Sequence, residues 1–157
     1  MYNAALRITG NSFEAEDVMQ ESFLSAFTKL DTFKGDVAFG AWLKRIVINK
    51  SLTQIKKNSR IEEVKFEVIK NTMNEADDEI ENDERLDYSN IKAKEILNTI
   101  GQLKDNYRVA LTLSLVEGYD HEEVAEIMKI SDENCRVTIF RAKNKLKKIM
   151  GQQAHIN

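Results

Sequence analysis

Apolar side chains recur at three- and four-residue spacing along most of the chain, a period that predicts helices rather than strands. Before residue 60 the pattern predicts three helices, which run over 2–8, 13–30 and 41–58. Gly10 should end the first helix, and Ser12 should cap the second. A loop with two glycines at 31–40 should separate the second helix from the third. The side chains expected in this core are Val18, Phe23, Ala26, Phe27, Leu30, Trp42, Leu43, Ile46, Val47 and Leu52.

The second half of the chain shows the same periodicity. It predicts four helices, over 88–100, 106–117, 121–129 and 132–150. Gly101 and Gly118 stand where a left-handed residue would close a helix. No segment alternates apolar and polar residues as a strand does, so the predicted fold class is all-α.

The last two predicted helices have the layout of a helix-turn-helix. Asp120 can cap the first of them and Glu123 completes a capping box, while Ser131 can cap the second. Val124, Ala125 and Met128 should form the inner face of the first helix. The inner face of the second should consist of Cys135, Ile139, Ala142, Leu146 and Ile149.

After its first two residues, the final predicted helix carries charge of one sign. From Asn134 to the C-terminus the chain has six Lys or Arg residues and no Asp or Glu. The outward positions Arg136, Val137, Phe140, Arg141 and Asn144 combine cations with an aromatic ring, which suits contacts with DNA bases and phosphates. A solvated basic face on a core helix is the alternative interpretation.

The net charge of −3 conceals strong segregation. Residues 1–60 carry +3, residues 61–90 carry −8 and residues 91–157 carry +2. The acidic block predicts a linker over 61–87 between an N-terminal module, 1–60, and a C-terminal module, 88–150. Its charge fits either a segment that occupies a nucleic-acid channel or a solvated tether.

Composition bears on the cellular compartment in which the protein is expected. No apolar run approaches the length of a membrane span, and the N-terminus lacks a signal-peptide pattern. Cys135, the single cysteine, lies on the inner stripe of its helix and suits a reducing compartment. We therefore expect a cytoplasmic protein without membrane insertion, in which Cys135 is a small core residue.

Two motifs in the N-terminal module resemble a known family. Residues 15–23, AEDVMQESF, and residues 39–49, FGAWLKRIVIN, resemble two helices of the sigma-two domain of bacterial sigma factors. The helix-turn-helix after the acidic block resembles the sigma-four domain. Two such domains and no others are typical of the extracytoplasmic-function (ECF) class. The chain departs from that pattern in starting inside the first sigma-two helix and in its recognition run, Asn134–Thr138.

The resemblance implies a transcription initiation factor, not an enzyme, that binds core RNA polymerase and promoter DNA and helps open the duplex. Many members of the class are held inactive by an anti-sigma factor, which makes one an expected partner. No cofactor, metal site or catalytic residue is implied. The resemblance and the shared helical stripe together assign polymerase binding to Asp17, Gln20, Glu21 and Leu24.

DNA contacts are expected on two segments. A glycine-containing loop beside a basic helix can hold an unstacked base and its phosphates, and the resemblance assigns this region to the minus-ten element. The residues involved are Lys34, Asp36, Phe39, Lys44, Arg45, Asn49 and Lys50, whereas Trp42 is expected in the core. For the minus-thirty-five element the expected residues are Asn134, Arg136, Val137, Phe140, Arg141 and Lys145.

Two other classes of protein remain open on the residues alone. A conventional transcriptional regulator would explain the helix-turn-helix but would leave both N-terminal motifs without a role. A small enzyme could use the carboxylates Glu14, Glu16, Asp17 and Glu21. However, metal sites usually include His or Cys, and the only histidines are His121 and His155.

Overall fold

Helices make up the architecture throughout the described part of the chain. The computed structural model describes residues 1–66 and 88–156, with side chains described over 1–59 and 91–152. No strand occurs within these ranges, which confirms the all-α class. The chain divides into two compact units, Met1–Glu79 and Ile80–Asn157. Most of the predicted acidic linker, residues 67–87, lies outside the described ranges, so the domain boundaries stay a prediction.

The first unit packs three helices against one another: α1 (Tyr2–Thr9), α2 (Ser12–Thr28) and α3 (Phe39–Phe66). A 3-10 turn, Leu30–Thr32, follows α2. Small side chains let the helices approach closely, since the buried cluster consists of Ala5, Ala15, Val18 and Val47. Ile8, Leu43 and Ile48 are also buried, and Asn58 of α3 donates a hydrogen bond to the Glu14 carboxylate at the start of α2.

Helix ends in this unit differ in part from the sequence prediction. Gly10 ends α1 in the left-handed region at φ 71°, as predicted. The cap of α2 is Asn11 rather than Ser12, because Asn11 is extended and its side chain accepts the Glu14 N–H at 3.2 Å. Helix α2 ends at Thr28 instead of residue 30. Helix α3 begins at Phe39 and continues to Phe66, beyond the predicted residue 58, since no glycine or proline interrupts it after Gly40.

The predicted core of the first unit needs correction. Phe23, Phe27 and Leu30 were expected inside, but all three are exposed. Val18, Ala26, Leu43 and Val47 are buried as predicted. Trp42, Ile46 and Leu52 are only half-buried. The helices are close enough that small residues fill the space between them, which leaves no room there for the large rings of α2.

The second unit contains α4 (Tyr88–Gly101), α5 (Asp105–Leu111), α6 (His121–Met128) and α7 (Asp132–Ile156). Helix α7 packs against each of the other three. A buried cluster joins α4, α5 and α7 through Ile100, Leu103, Leu111, Ala142 and Leu146.

Three helix ends in the second unit also depart from prediction. Gly118 adopts the predicted left-handed conformation at φ 77°. Gly101 does not, because it is the last residue of α4 and the next two N–H groups bond to the carbonyls of Thr99 and Ile100 in a tight turn. The helix predicted over 106–117 is α-helical only to Leu111 and continues as a π-helical turn, Thr112–Val116. Helix α7 extends to Ile156, past the predicted residue 150.

Candidate protein- and DNA-binding faces

Helix α2 is amphipathic in an inverted sense, with small residues inside and large apolar residues outside. Its buried side chains are Ala15, Val18, Ser22 and Ala26. On the opposite side, Phe13 is 77% exposed, Leu24 is 68% exposed and Phe27 is 75% exposed. Large apolar side chains in water do not stabilise a monomeric helix, so this side of α2 is a candidate surface for a partner.

We call this outward stripe the α2 face and define it as Phe13, Asp17, Gln20, Leu24 and Phe27. The spacing is four, three, four and three residues, so all five lie on one side of the helix. All are exposed, and Glu21 beside them is exposed as well. The four residues predicted for polymerase binding, Asp17, Gln20, Glu21 and Leu24, are therefore all available for contact. Helix α2 contains four carboxylates and no Lys or Arg, so the face is also acidic.

Sequence reasoning missed the outward aromatic rings of α2. Phe23 and Phe27 were assigned to the core because large apolar residues are most often buried. A second helical stripe, Ala15–Val18–Ser22–Ala26, was visible in the sequence and forms the true inner side. The presence of two stripes, one small and one large, was the signal that could have identified the outward rings.

The predicted minus-ten region begins with a loop between the 3-10 turn and α3. Lys34 and Asp36 are exposed on this loop, and Gly35 adopts a left-handed φ of 78° with open space around it. Phe39, the first residue of α3, is 47% exposed. Its ring contacts those of Phe33 and Trp42.

Along α3, the predicted DNA contacts differ in exposure. Asn49 is exposed, whereas Lys44, Arg45 and Lys50 are half-buried. Half-burial of a long cationic side chain is compatible with a stem packed on the helix and a charged end near water. The structure brings the three aromatic rings together at the start of α3, and Asn49 lies farther along the same helix.

The helix-turn-helix is built as its sequence predicts. The Asp120 side chain accepts the Glu123 N–H at 2.8 Å, and Glu123 accepts the Asp120 N–H at 3.0 Å. Ser131 accepts the Asn134 N–H at 3.2 Å at the start of α7. Between the helices, Lys129 is left-handed at φ 57°, and the Ile130 N–H bonds back to the Ala125 carbonyl at 3.0 Å. These bonds fix the angle at which α7 leaves the turn.

Packing within the motif sets which side of α7 is free. Cys135, Ile139, Ala142 and Leu146 are buried as predicted, while Ile149 is half-buried. On α6, Val124 and Ala125 are buried as predicted. Met128, which was also expected on the inner face, is only half-buried, and Ile127 is buried instead. The Cys135 thiol lies 3.4 Å from the His121 carbonyl and donates to it. Burial, and secondarily the Asp132 carboxylate, raise the pKa of Cys135, so it is a neutral packing residue.

We call the outward stripe of α7 the α7 face and define it as Arg136, Val137, Phe140, Arg141, Asn144 and Lys145. Every one of these residues is exposed, and Asn134 beside them is exposed as well. Phe140 is 66% exposed, with cationic side chains before and after it in the sequence. A basic helix with a central apolar ring has the chemistry to contact phosphates and the methyl group of a thymine.

Neither a metal centre nor a membrane helix is found within the described ranges. No group of three or more His, Cys, Asp or Glu side chains there could hold a metal ion. His121 is exposed at the start of α6. No described helix has the length and apolar character needed to cross a bilayer.

Comparison with known proteins gives two family matches, one in each unit. Residues 1–61 match the family described as Sigma-70 region 2, and residues 93–146 match Sigma-70, region 4. The first match contains the α2 face and the loop before α3. The second match contains the whole α7 face, whose last residue is Lys145.

Individual relatives of the chain are sigma factors as well. The chain is 36% identical to the ECF RNA polymerase sigma-E factor of Salmonella typhimurium over 141 residues, which covers 84% of this chain and 71% of the relative. It is 35% identical to the sigma-E factor of Escherichia coli K12 over the same shares of the two chains. It is 31% identical to the RNA polymerase sigma-H factor of Pseudomonas aeruginosa, covering 92% of this chain and 77% of that one.

Solved structures share the fold. The Bartonella quintana sigma factor RpoE, solved with the anti-sigma factor NepR, aligns at a TM-score of 0.67 and 21% identity, covering 96% of this chain and 89% of that one. The protein CnrH, solved with the cytosolic domain of CnrY, aligns at a TM-score of 0.55 and 22% identity, covering 96% and 80%.

Proposed function

We propose how three surfaces of the chain, the α2 face, the loop before α3 and the α7 face, contribute to transcription initiation. The chain belongs to the extracytoplasmic-function class of RNA polymerase sigma factors. As a sigma factor it binds core RNA polymerase and directs promoter-specific initiation of transcription; it is an initiation factor rather than an enzyme. A regulator that acts without polymerase and a carboxylate enzyme are thereby excluded.

The α2 face is proposed to bind core RNA polymerase. The observation that supports this most is the inversion of α2, whose large apolar side chains point away from the bundle. Interfaces are strongest where a few large apolar anchors are surrounded by polar side chains that exclude water. Leu24 and Phe27 would be such anchors, and Asp17, Gln20 and Glu21 would supply the polar surround.

A binding experiment tests this assignment. Replacing Asp17, Gln20 and Glu21 together with Ala should weaken the affinity of the full chain for core polymerase without changing its helical content. A matched control replaces three exposed polar residues on other helices, Asn3, Thr53 and Asn98, with Ala. Equal affinities of the two triple variants for core polymerase would contradict the assignment.

The loop before α3 and the exposed side of α3 are proposed to bind the minus-ten element and assist melting. An exposed loop with a left-handed glycine lets a base approach the backbone, and Asn49 offers both a donor and an acceptor to a base edge. Asn49→Ala should slow open-complex formation more than it weakens closed-complex binding. A permanganate footprint of the bubble that matches wild type would contradict this role.

The α7 face is proposed to bind the minus-thirty-five element in the major groove. Arg136 and Arg141 can each donate two parallel hydrogen bonds to a guanine edge, whereas Lys145 is a point charge better suited to a phosphate. All three side chains are exposed on a helix whose exit angle is fixed by the capped turn.

Two further proposals concern the cellular compartment of the protein and a second protein partner. The cytoplasm is the proposed compartment, because core polymerase and promoter DNA are there and the only cysteine is a free, buried thiol. An anti-sigma factor is a proposed partner, since two proteins that share this fold were solved in complexes, RpoE with the anti-sigma factor NepR and CnrH with the cytosolic domain of CnrY. Co-purification of the full chain from its own cells would test it, with mass spectrometry as the readout.

A further inference from the structure

Three aromatic rings meet where the loop joins α3. The Phe33 ring centroid lies 5.5 Å from that of Phe39, at an interplanar angle of 85°. It lies 5.3 Å from the Trp42 centroid, and the Phe39 and Trp42 centroids are 5.6 Å apart. Each pair is within the distance at which aromatic rings attract one another, so the three form a closed cluster.

The cluster ties together the two ends of the exposed loop. Phe33 follows the 3-10 turn, Leu30–Thr32, with extended backbone, and Phe39 is the first residue of α3. Trp42 lies one helical turn after Phe39 and so presents its ring on the same side of α3. Between Phe33 and Phe39, residues 34–38 are all exposed and include the left-handed Gly35.

The three rings lie outside the buried cluster described above for the first unit. That cluster consists of Ala5, Ala15, Val18 and Val47, with Leu6 and Met19 packed against it. Phe33 and Trp42 are half-buried, and Phe39 is 47% exposed. Three large apolar rings therefore meet at the base of one loop, and each keeps part of its surface exposed.

We propose that Phe33, Phe39 and Trp42 form an aromatic clamp that holds residues 34–38 in the shape that receives the unpaired minus-ten strand. The inference rests on the proposed function in one respect, the assignment of this loop to the minus-ten strand. Phe33 is then a positioning residue, which acts by holding the loop. Trp42 braces the loop rather than filling the helical core.

Preorganisation is the physical reason for such a clamp. A free loop that includes a glycine has many conformations, and ordering it during binding lowers affinity for the strand. With both ends held by ring contacts, most of that entropy is lost when the protein folds. Melting then has to order only the DNA.

The test uses holoenzyme reconstituted from core polymerase and the full chain. Phe33→Ala should reduce the rate of open-complex formation roughly tenfold, because two of the three ring contacts are lost. Phe33→Tyr, which keeps the ring, should restore the wild-type rate. Affinity for core polymerase should change little, and the free chain should stay folded with its melting temperature lowered by only a few degrees.

A spectroscopic measurement checks the clamp independently. Trp42 is the only tryptophan, so the emission of the free chain reports on this cluster alone. Phe33→Ala should shift the emission to longer wavelength as Trp42 becomes more exposed to water, and Phe33→Tyr should not.

The outcomes separate the clamp from the minus-ten assignment. If Phe33→Ala forms open complexes at the wild-type rate while Asn49→Ala does not, the clamp is wrong and the minus-ten assignment stands. If both variants behave as wild type, the minus-ten assignment of this region also fails. Unfolding of Phe33→Ala, or an equal loss of core-polymerase affinity, would overturn the proposal as well, since the rings would then be part of the core.

Discussion

Two phenylalanines on the surface illustrate how one fold class serves two partners. Phe27 on α2 is 75% exposed and Phe140 on α7 is 66% exposed. Each stands in the outward stripe of a helix whose opposite side is buried. The charge around them is of opposite sign, because α2 has four carboxylates and no cation, whereas α7 after Glu133 has six cations and no carboxylate.

The difference in charge between the two faces supports a different proposed binding partner for each helix. An acidic helix repels the phosphates of DNA, so its exposed apolar anchors suit a protein partner. A basic helix attracts phosphates and releases counterions from the duplex, so its exposed ring suits a base edge in a groove. Exposed large side chains together with the charge around them support the proposed partners, a protein for α2 and DNA for α7.

The largest expected effect lies on the α2 face. Leu24→Ala together with Phe27→Ala should weaken binding to core polymerase by about 2–4 kcal/mol, as truncation of interface anchors does. Since both side chains are exposed, the free energy of unfolding should change by less than about 0.5 kcal/mol per substitution. Competition for core polymerase against a labelled wild-type chain measures the first quantity, and urea denaturation measures the second.

Ile91 on α4 provides a matched control for this experiment. Its side chain is 53% exposed, and it is an aliphatic residue on a helix outside both faces. Ile91→Ala should leave polymerase affinity unchanged. If it weakens binding as much as the α2 variant does, exposed apolar area in general, rather than the α2 face, is responsible.

The next effect concerns base selection by the α7 face. Arg136→Ala and Arg141→Ala should each reduce discrimination at a guanine by about 1–3 kcal/mol. Lys145→Ala should instead weaken binding evenly across sequences and lower the salt slope by about 1. Selection of the full chain on a randomised duplex pool at two salt concentrations distinguishes these outcomes. Arginine variants that retain the preferred sequence would show that their contacts are to the backbone.

Buried hydroxyls without partners predict a smaller effect, on stability alone. Ser22 beneath the α2 face and Thr112 in the π-helical turn have buried hydroxyl oxygens with no hydrogen-bond partner in the described structure. Ser22→Ala and Thr112→Val should each stabilise the fold by about 1 kcal/mol, because an unsatisfied polar group is removed from the interior.

Two bonded hydroxyls serve as controls for that prediction. Ser51 donates to the Val47 carbonyl and Thr99 to the Glu95 carbonyl, each at 2.8 Å, and both residues are buried. Ser51→Ala and Thr99→Val should therefore stabilise less than their partnerless counterparts. Equal shifts in thermal melting across each pair would show that the hydroxyl environment does not matter.

The smallest effect is expected in the turn of the helix-turn-helix. Lys129 is the only described residue other than glycine with positive φ. Lys129→Gly should stabilise the fold by about 0.5–1 kcal/mol, since glycine adopts this conformation without steric cost. Lys57→Gly, on an exposed position inside α3, should destabilise by about 1 kcal/mol. A destabilised Lys129→Gly variant would mean that the lysine side chain contributes more than the backbone strain costs.

Local signals in the sequence predicted the second unit better than the first. The capping box at Asp120 and Glu123, the Ser131 cap and the left-handed Gly118 depend on neighbouring residues, and all three occur in the structure. The buried stripe of α7 was likewise predictable, because its apolar residues lie on one side only.

The first unit was harder because its errors depend on how closely helices approach. Phe23 and Phe27 have apolar side chains in a helix with two possible inner sides, and only the packing of α2 against α1 and α3 decides between them. Contacts that residue spacing does not reveal also determine two other features. These are the π-helical turn of the second unit, Thr112–Val116, and the Phe33–Phe39–Trp42 cluster of the first unit. The predicted site residues are exposed except Lys44, Arg45 and Lys50, which are half-buried, and the roles of all of them stay predictions.

The α2 face is proposed to bind polymerase and the α7 face to bind promoter DNA. Phe27 and Phe140 allow one direct measurement, in which each is replaced in turn by a photo-cross-linking phenylalanine analogue and holoenzyme on promoter DNA is irradiated. We expect position 27 to cross-link to a polymerase subunit and position 140 to DNA in the minus-thirty-five region. Cross-linking of position 27 to DNA, or of position 140 to protein without any to DNA, would contradict it.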